Sequence, residues 1–488
     1  QIQVKNFYEF RIPSKIYFDS SGRYSKEPKY NQWGWYMPAK ILFDPTAGII
    51  YDHQTKENTK LMRLGNEGRS SATTIKSFAV IHELHKQKEP LKVQKLLSFT
   101  DNRQDASLQS GHFNDFINTG RLRSALYHAI ADSPDKILKA FEIAEKTIKE
   151  LGLKESDYAR YPNDDWPDPE NERAAKIYVM IRILYDLKRG WRYNMPNLEQ
   201  TGLLKVTYDR MEEFCNKNEF FKDLYLFKDI TPDDRQEIII QVLNYFRTSY
   251  ALEHQYLTSQ RTEVEAFMEL KLDPDKQWSL DKNEKIEIPV WLVPLKPGRT
   301  QRDIFTSSLG LNSYIGKYFK RLFKEHNLET LKGENFAEFM NSLCSVLKRG
   351  NFLADKEIKG DKLTVTGYRL RVDNVVWELG DGQSVVLDEV RLPSYKEQKI
   401  EPNFYFREFY KQNFTEFEKS LISREHTGQL SREDRIIREE EFRKGNISAL
   451  YCSPTMELGI DIAELNIVHM RNVPPNPANY AQRSGRAG

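Results

Sequence analysis

Cysteine is scarce: three occur in 488 residues, at positions 215, 344 and 452. None forms a C-x-x-C pair, which excludes a disulfide framework and a thiolate zinc site and suits a reducing compartment, the cytoplasm. Long apolar runs are missing too. The best, Ile286 to Leu295, is broken by Glu287, Pro289 and Pro294, so no spanning helix and no membrane partner are expected. Neither sign of charge prevails. Lys plus Arg number 73 against 71 Asp plus Glu, a net +2, so placement rather than gross charge must identify a polyanionic partner. Internal repeats are absent, which argues against a solenoid. What is present is globular chemistry: 39% hydrophobic and 30% charged residues exclude collagen-like, mucin-like and fully disordered chains, and the length suits about three domains. The opening residues lack the basic and apolar regions of a signal peptide, and a chain starting at Gln1 is expected to be a piece of something longer.

Residues 1–90 read as an aromatic, β-rich lead-in followed by a helix. Strand-like pieces fall at Lys15 to Phe18 and Ile41 to Phe43, each followed by turn residues, and a helical pattern runs from Ser71 to Lys86. In 91–125, the apolar run Leu96 to Thr100 precedes Asp101 and Gln104 at capping-box spacing, which predicts strand, turn, helix. The interval 126–420 is helix-rich and charged, with a Pro/Asp-rich surface loop or linker at Tyr161 to Pro169. Thr231 and Pro232 start a helix whose buried stripe is Ile239, Val242, Leu243 and Phe246. Strands are predicted at Leu203 to Tyr208 and as a hairpin over Leu363 to Leu379, a combination that permits a winged helix. In 421–488, Ser431 and Asp434 cap a charged helix ending at Gly445, with i,i+4 pairs Asp434–Arg438, Glu439–Arg443 and Glu440–Lys444. Strands Ile447 to Ser453 and Leu465 to Met470 follow, so this end is α/β with a parallel sheet.

Charge placement separates the C-terminus from the rest. Residues 467–488 contain Arg471, Arg483 and Arg486 and no carboxylate. Gln482-Arg-Ser-Gly-Arg-Ala-Gly488 sets guanidinium groups among glycines that permit close approach, which suits bidentate contact with phosphate oxygens. Thr455 and the loop to Asp461 follow one predicted strand, and Thr100 to Arg103 follow another, at the strand ends where open α/β folds bind ligands.

Taken together, Phe99 to Asp105, Thr427-Gly428 through Gly445, Thr455-Met-Glu-Leu-Gly-Ile-Asp461 and Gln482 to Gly488 resemble motifs IV, IVa, V and VI of superfamily-2 helicases, in that order. The resemblance covers about 110 residues, 91–125 and 421–488, and implies a second RecA-like domain. Its wording is most similar to very large bacterial DEAD/DEAH-box helicases, including those of the anti-phage systems Druantia and DISARM, with Lhr-like repair helicases more distant. It implies an ATP- and Mg2+-dependent DNA helicase or translocase, with single-stranded DNA and defence-system proteins as partners. Arg486 would be an arginine finger on the γ-phosphoryl group and Gln482 would reach the same phosphate or its water. Gly459, Asp461 and Arg483 would belong to the ATP site. Thr100, Asn102, Arg103, Thr427, Gly428 and Thr455 would hold strand phosphates.

Departures limit this. The partner finger would follow Gly488, and position 432 is Arg where many relatives carry Gln. No P-loop is found: Gly310 to Gly316-Lys317-Tyr318 has five intervening residues and Tyr at the hydroxyl position. The nucleotide and its Mg2+ would therefore be held mainly by a first RecA-like domain outside this sequence, and this fragment alone would not hydrolyse ATP. Asp388 and Glu389 end an apolar run but fall after motif IV, where a strand running into a polar turn explains them. The interval between the two core pieces, about 295 residues against about 30 for a βαβ connection, must be an inserted domain. Within it, Tyr314, Lys317, Phe319, Lys320, Arg321, Phe323 and Lys324 interleave aromatics with bases, beside Lys296, Arg299 and Arg302. Either duplex DNA contact or an amphipathic helix accounts for that pattern. Glu269-Leu-Lys271 matches a nuclease fragment, with a charged helix face as the plain alternative. The rival to a motor is a module that binds nucleic acid or a partner without turnover.

Overall fold

The computed structural model describes residues 14–36, 43–44, 49–50, 66–100, 102–163, 165–192, 195–392, 401–417, 421–453, 465–474 and 476–485. Two compact units divide the chain, the smaller being Gln1–Arg63 with Glu397–Ile400. It contains an antiparallel sheet ordered β2-β1-β3, from β1 (Ser14–Phe18), β2 (Tyr24–Ser25) and β3 (Gln32–Tyr36), and a pair of short strands, β4 (Phe43–Asp44) and β5 (Ile49–Ile50). The turn after β1 is built by Asp19, whose carboxylate accepts from the Ser21 and Arg23 amides, with Gly22 at φ +81° as only glycine readily allows.

The larger unit opens with α1 (Asn66–Lys86), β6 (Leu96–Phe99) and α2 (Arg103–Ala131). The helix cap is Asn102, one residue later than the predicted Asp101, which lies outside the described residues. Asn102 Oδ1 accepts from the Asp105 amide at 2.8 Å, the N-cap role of a short amide side chain. At 29 residues, α2 is long enough to serve two cores. Its first half packs on the sheet containing β6. Its second half enters the insert, where the fully buried Arg123 binds Asp186 at 2.6 Å, Tyr410 Oη at 2.8 Å and the Met195 carbonyl at 3.0 Å.

The insert comprises β7 (Ile137–Lys139), α3 (Ala140–Leu151), α4 (Pro169–Asp186), β8 (Leu204–Tyr208), α5 (Met211–Cys215), α6 (Pro232–Thr248), β9 (Leu252–Glu253), α7 (Arg261–Lys271), β10 (Trp291–Val293), β11 (Thr306–Ser308), α8 (Tyr314–Glu325), α9 (Gly333–Arg349), β12 (Leu353–Lys359), β13 (Thr364–Arg371), β14 (Val375–Leu379) and α10 (Phe404–Lys411). Its sheets are β7-β14-β8 and β11-β10-β13-β12, with β9 beside β13. The α6 helix starts as its sequence predicts: Thr231 Oγ1 accepts from the Asp234 amide, and Ile239, Val242, Leu243 and Phe246 are fully buried. The hairpin does not fall at 363–379. It is β12–β13, and the alternation beyond Arg371 belongs to β14 in the other sheet. The Pro/Asp-rich loop is clamped by buried Glu155, which accepts from the Asn163 and Asp168 amides and from Asn171. Return to the sheet domain is fixed by α10, whose Phe409 ring packs against Gly120 of α2; a Cβ there would lie 2.4 Å from the ring.

The chain ends with β15 (Ser423–His426), α11 (Arg432–Lys444), β16 (Ala449–Cys452), β17 (Val468–Met470) and α12 (Pro477–Ser484). A four-stranded sheet, β15-β16-β6-β17, is parallel throughout. Leu97, Phe99, Leu450 and Cys452 face α11 through Phe442, while Leu96, Ala449 and Tyr451 join the core under α1 and α2. Burial on both faces is what an all-parallel sheet requires. The molecule is of the expected α/β class, a RecA-like parallel sheet interrupted by a large helix-rich insert. Among the described residues no helix is long and apolar enough to cross a membrane.

Candidate functional site

Because all four strands run the same way, their carboxyl ends share one end of the sheet. Thr100 and Asn102 follow β6, Thr427 and Gly428 follow β15, Ser453 follows β16 and Arg471 follows β17. Segments far apart in sequence are thus joined directly. The Thr100 amide donates to the Cys452 carbonyl at 2.9 Å, and its hydroxyl, fully buried, reaches the carbonyls of Asn102 at 3.0 Å and Cys452 at 3.2 Å. Thr100 therefore ties β6, β16 and the start of α2 together. Arg103 and Gly428 are exposed at this end, and Thr427 is buried. Thr455, Gly459, Asp461 and Arg486 lie outside the described residues.

The α12 helix is capped by Asn476, whose Oδ1 accepts from the Asn479 amide at 2.8 Å, with Pro477 in its first turn. Successive helical residues point about 100° apart, and this separates two neighbours that were both expected at the nucleotide. Gln482 faces solvent, whereas Arg483 is 3% exposed with its guanidinium 5.2 Å from the Phe99 ring centre. Arg483 thereby anchors α12 on the end of β6.

Sequence reasoning missed the role of several neighbours. Arg471 approaches Asp105 at 3.4 Å and Ser70 at 3.4 Å, but its Nε and one terminal nitrogen are buried without a hydrogen-bond partner. His426, beside Thr427, is buried with Nε2 2.8 Å from Glu439, and its Nδ1 has no partner. Burial pushes its pKa below 6.5 against the pull of Glu439, helped by the charges of Arg435 and Arg438. Glu439 is thus engaged with His426, and Asp434 takes a hydrogen bond from Ser431; of the three predicted i,i+4 pairs, Glu440–Lys444 forms, at 3.0 Å. The position of His426 directly before Thr427-Gly428 is the one signal that could have drawn attention to it.

Other candidates resolve into structure. Gly316 lies within α8, capped by Ser313, where a Cβ would come 2.4 Å from the Gly310 carbonyl; close packing explains this glycine. Phe319 and Phe323 are fully buried, so α8 is an amphipathic helix with Lys317 and Lys324 exposed. Residues 385–388 form no strand, and Asp388 is held by Arg189 and Arg391. Glu269 pairs with Lys285 and Lys271 with Asp168, separating the nuclease-like fragment. Among the described residues no three acidic, His or Cys side chains gather to hold a metal.

A model of the helicase conserved C-terminal domain matches residues 392–488. The Druantia protein DruE of Escherichia coli strain UMEA 4076-1 is 42% identical over 83 residues, covering 14% of this chain and 4% of that protein. The chain therefore carries a superfamily-2 helicase C-terminal domain. This helicase domain is also similar to ATP-dependent helicase Lhr-Core of Sulfolobus acidocaldarius, 35% identical over 72 residues, 15% of this chain and 8% of the relative. It is similar to ATP-dependent helicase HRQ1 of Saccharomyces cerevisiae as well, 43% over 63 residues, 13% and 6%. The matches span less than a tenth of these relatives' length. The helicase domain is a motor-domain part, and its sheet is the one whose strand ends carry the motifs.

Proposed function

We propose that the chain is the second motor domain of an ATP-driven DNA helicase or translocase acting in anti-phage defence or DNA repair. The observation that carries this reading is the junction of Thr100, Thr427-Gly428 and α12 at one end of one parallel sheet, from stretches that the sequence separates by an entire insert. Single-strand phosphates would lie across Arg103, Thr427, Gly428 and Thr455, contacts that ignore base identity. The described residues suit the polyphosphate side of an ATP site. Exposed Gln482 is a donor on this side, Arg471 is buried against Asp105 and Ser70, and among the described residues the carboxylates that Mg2+ prefers are not gathered. ATP would supply the energy of closure, with Arg486 entering from this side and the metal held by a first RecA-like domain of the same protein. Defence-system proteins are proposed partners of the whole.

The test is DNA-stimulated ATP hydrolysis by the intact protein. An Arg486→Ala change should lower turnover by about 10³-fold or more, as loss of an arginine finger does. Unchanged turnover rejects the finger. DNA binding without any ATP turnover by the intact protein favours the rival, a non-motor module. For the insert, helices α8 and α9 leading into the β12–β13 hairpin support a winged-helix reading. Lys317→Glu with Lys324→Glu should weaken duplex binding; equal binding removes that assignment.

A further inference from the structure

A cleft of about 680 Å3 lies between the edge of the parallel sheet and the insert, within the size range of ligand sites. One part of its lining is a polar stripe on α2. Ser107, Gly111, Asn114 and Asn118 recur at helical spacing, beginning four residues after Arg103. Trp278 of the insert, Arg424 of β15 and Arg438 of α11 also line it.

Charge within the cleft is unevenly satisfied. Arg182 makes a bidentate pair with Glu284 at 2.6 and 2.7 Å, Arg192 meets Asp115 at 2.6 Å, and Asp275 meets Lys282 at 3.2 Å. Arg424 and Arg438 are half-buried and, among the described residues, have no carboxylate partner. Arg424 makes a 3.5 Å contact to the Ser423 carbonyl, and Arg438 donates to the Glu425 carbonyl at 2.6 Å. Burial and the Arg438 charge together lower the Arg424 pKa against the pull of Asp275, a carboxylate that also lines the cleft. Two further groups are incomplete. The indole N–H of Trp278, a residue 3% exposed, and the side-chain oxygen of Asn118 are buried without partners. Buried donors in native proteins are normally paired, so the Trp278 N–H is open to an acceptor, whereas the Asn118 oxygen is itself an acceptor and is not a phosphate contact.

We infer that the cleft receives the phosphodiester backbone of the strand proposed to cross the sheet end, leading it from Thr427-Gly428 past Arg424 and Arg438 and along α2 toward the insert. This rests on the strand-binding reading given above. From Arg103 to Asn118 the helix extends about 22 Å at about 1.5 Å per residue, a track suited to several linked phosphates rather than one ion. The lining offers hydroxyl, amide and guanidinium groups, which position phosphates without reading bases. Asp281 and Glu425 also line the cleft and weaken its field for a free anion. A strand already held at the sheet end overcomes this through its high local concentration.

The test uses the 488-residue chain and labelled oligothymidines of about five and about fifteen nucleotides, spanning the range of single-strand site sizes. Arg424→Gln with Arg438→Gln should weaken the longer strand about tenfold and reduce its salt slope by about two, one unit per lost phosphate contact. Binding of the shorter strand should be retained, which also shows that the variant is folded. Trp278→Phe, which removes the N–H together with part of the ring system, should weaken the longer strand a few-fold and leave the shorter strand's binding unchanged. Equal loss at both lengths, or no loss, overturns the cleft assignment. So does competition by inorganic phosphate or polyglutamate as effective as by unlabelled long strand. Failure of the unsubstituted chain to bind either length removes the strand-binding reading and the cleft with it.

Discussion

Arg247 in the insert is buried and Arg438 on the helicase domain half-buried, and their surroundings differ in kind. Arg247 is held by both oxygens of Glu199, at 2.6 and 2.8 Å, and by Asn244. Arg182 and Arg123 are locked just as fully to Glu284 and Asp186. In the helicase domain, Arg424, Arg438 and Arg471 meet carbonyls or one long carboxylate contact, and Arg435 and Arg471 leave nitrogens unpaired. A guanidinium saturated by carboxylates fixes structure, and removing one member strands the other charge. A guanidinium left short of partners is available to an outside anion. Arginines paired this way hold parts of the insert together, and under the strand-binding proposal the less fully paired ones would serve phosphate at the sheet end.

The sharpest way to break this contrast is Arg247→Leu. It should cost about 3–5 kcal/mol by leaving Glu199 buried and alone, read as a lower urea midpoint, and adding Glu199→Leu should recover much of the loss. Gly120→Val comes next. Its side chain would collide with Phe409, and overpacking of this kind costs about 1–3 kcal/mol, measurable as a lower melting temperature. A loss below about 0.5 kcal/mol would mean α10 gives way easily.

Acid separates the regions less strongly. His254 in the insert is lowered to about 4 by burial, and His426 and His469 in the helicase domain are lowered as well, chiefly by burial. A histidine whose folded pKa lies below 6.5 binds fewer protons folded than unfolded. Stability is therefore full above about pH 6.5 and lost as pH falls through it. The melting temperature should drop between about pH 7.5 and about pH 5.5, and His254→Gln should flatten that slope if the variant melts cooperatively. The smallest expected effect on stability is that of Arg438→Gln, within about 0.5 kcal/mol, because no carboxylate is abandoned. A loss as large as that of Arg247→Leu would erase the distinction.

Much of this was legible from residue order, and the exceptions have physical causes. The α6 cap and stripe, the strand at Leu204–Tyr208 and the parallel sheet follow from local patterning. The hairpin was misplaced because β12 reads Leu-Ala-Asp-Lys-Glu-Ile-Lys and is largely exposed, so no apolar alternation announces it. The alternation of β13 resumes in β14 after a short turn, merging strands of two sheets into one pattern. At the site, motif order pointed to Thr100 and Thr427, which the fold brings to one end of the sheet. It could not show that Arg483 turns inward onto Phe99, nor that Arg424 and Arg438 meet carbonyls and, among the described residues, no carboxylate, since pairing is settled by distant segments. The α11 helix shows the same limit: Glu439 could pair along its own helix and instead meets His426 across the fold.

Thr100 and Cys452 bond across 352 positions of sequence, and this orders events at synthesis. When β6 leaves the ribosome, neither of its sheet neighbours β16 and β17 yet exists. Leu96 to Phe99 must wait, open-edged and apolar, while the whole insert is translated, a hazard of non-local strand pairing. A nascent chain of this design depends on early compaction of the insert around α2 to bring both borders together, and a product ended before Ala449 would expose an unmatched strand to aggregation and chaperone capture.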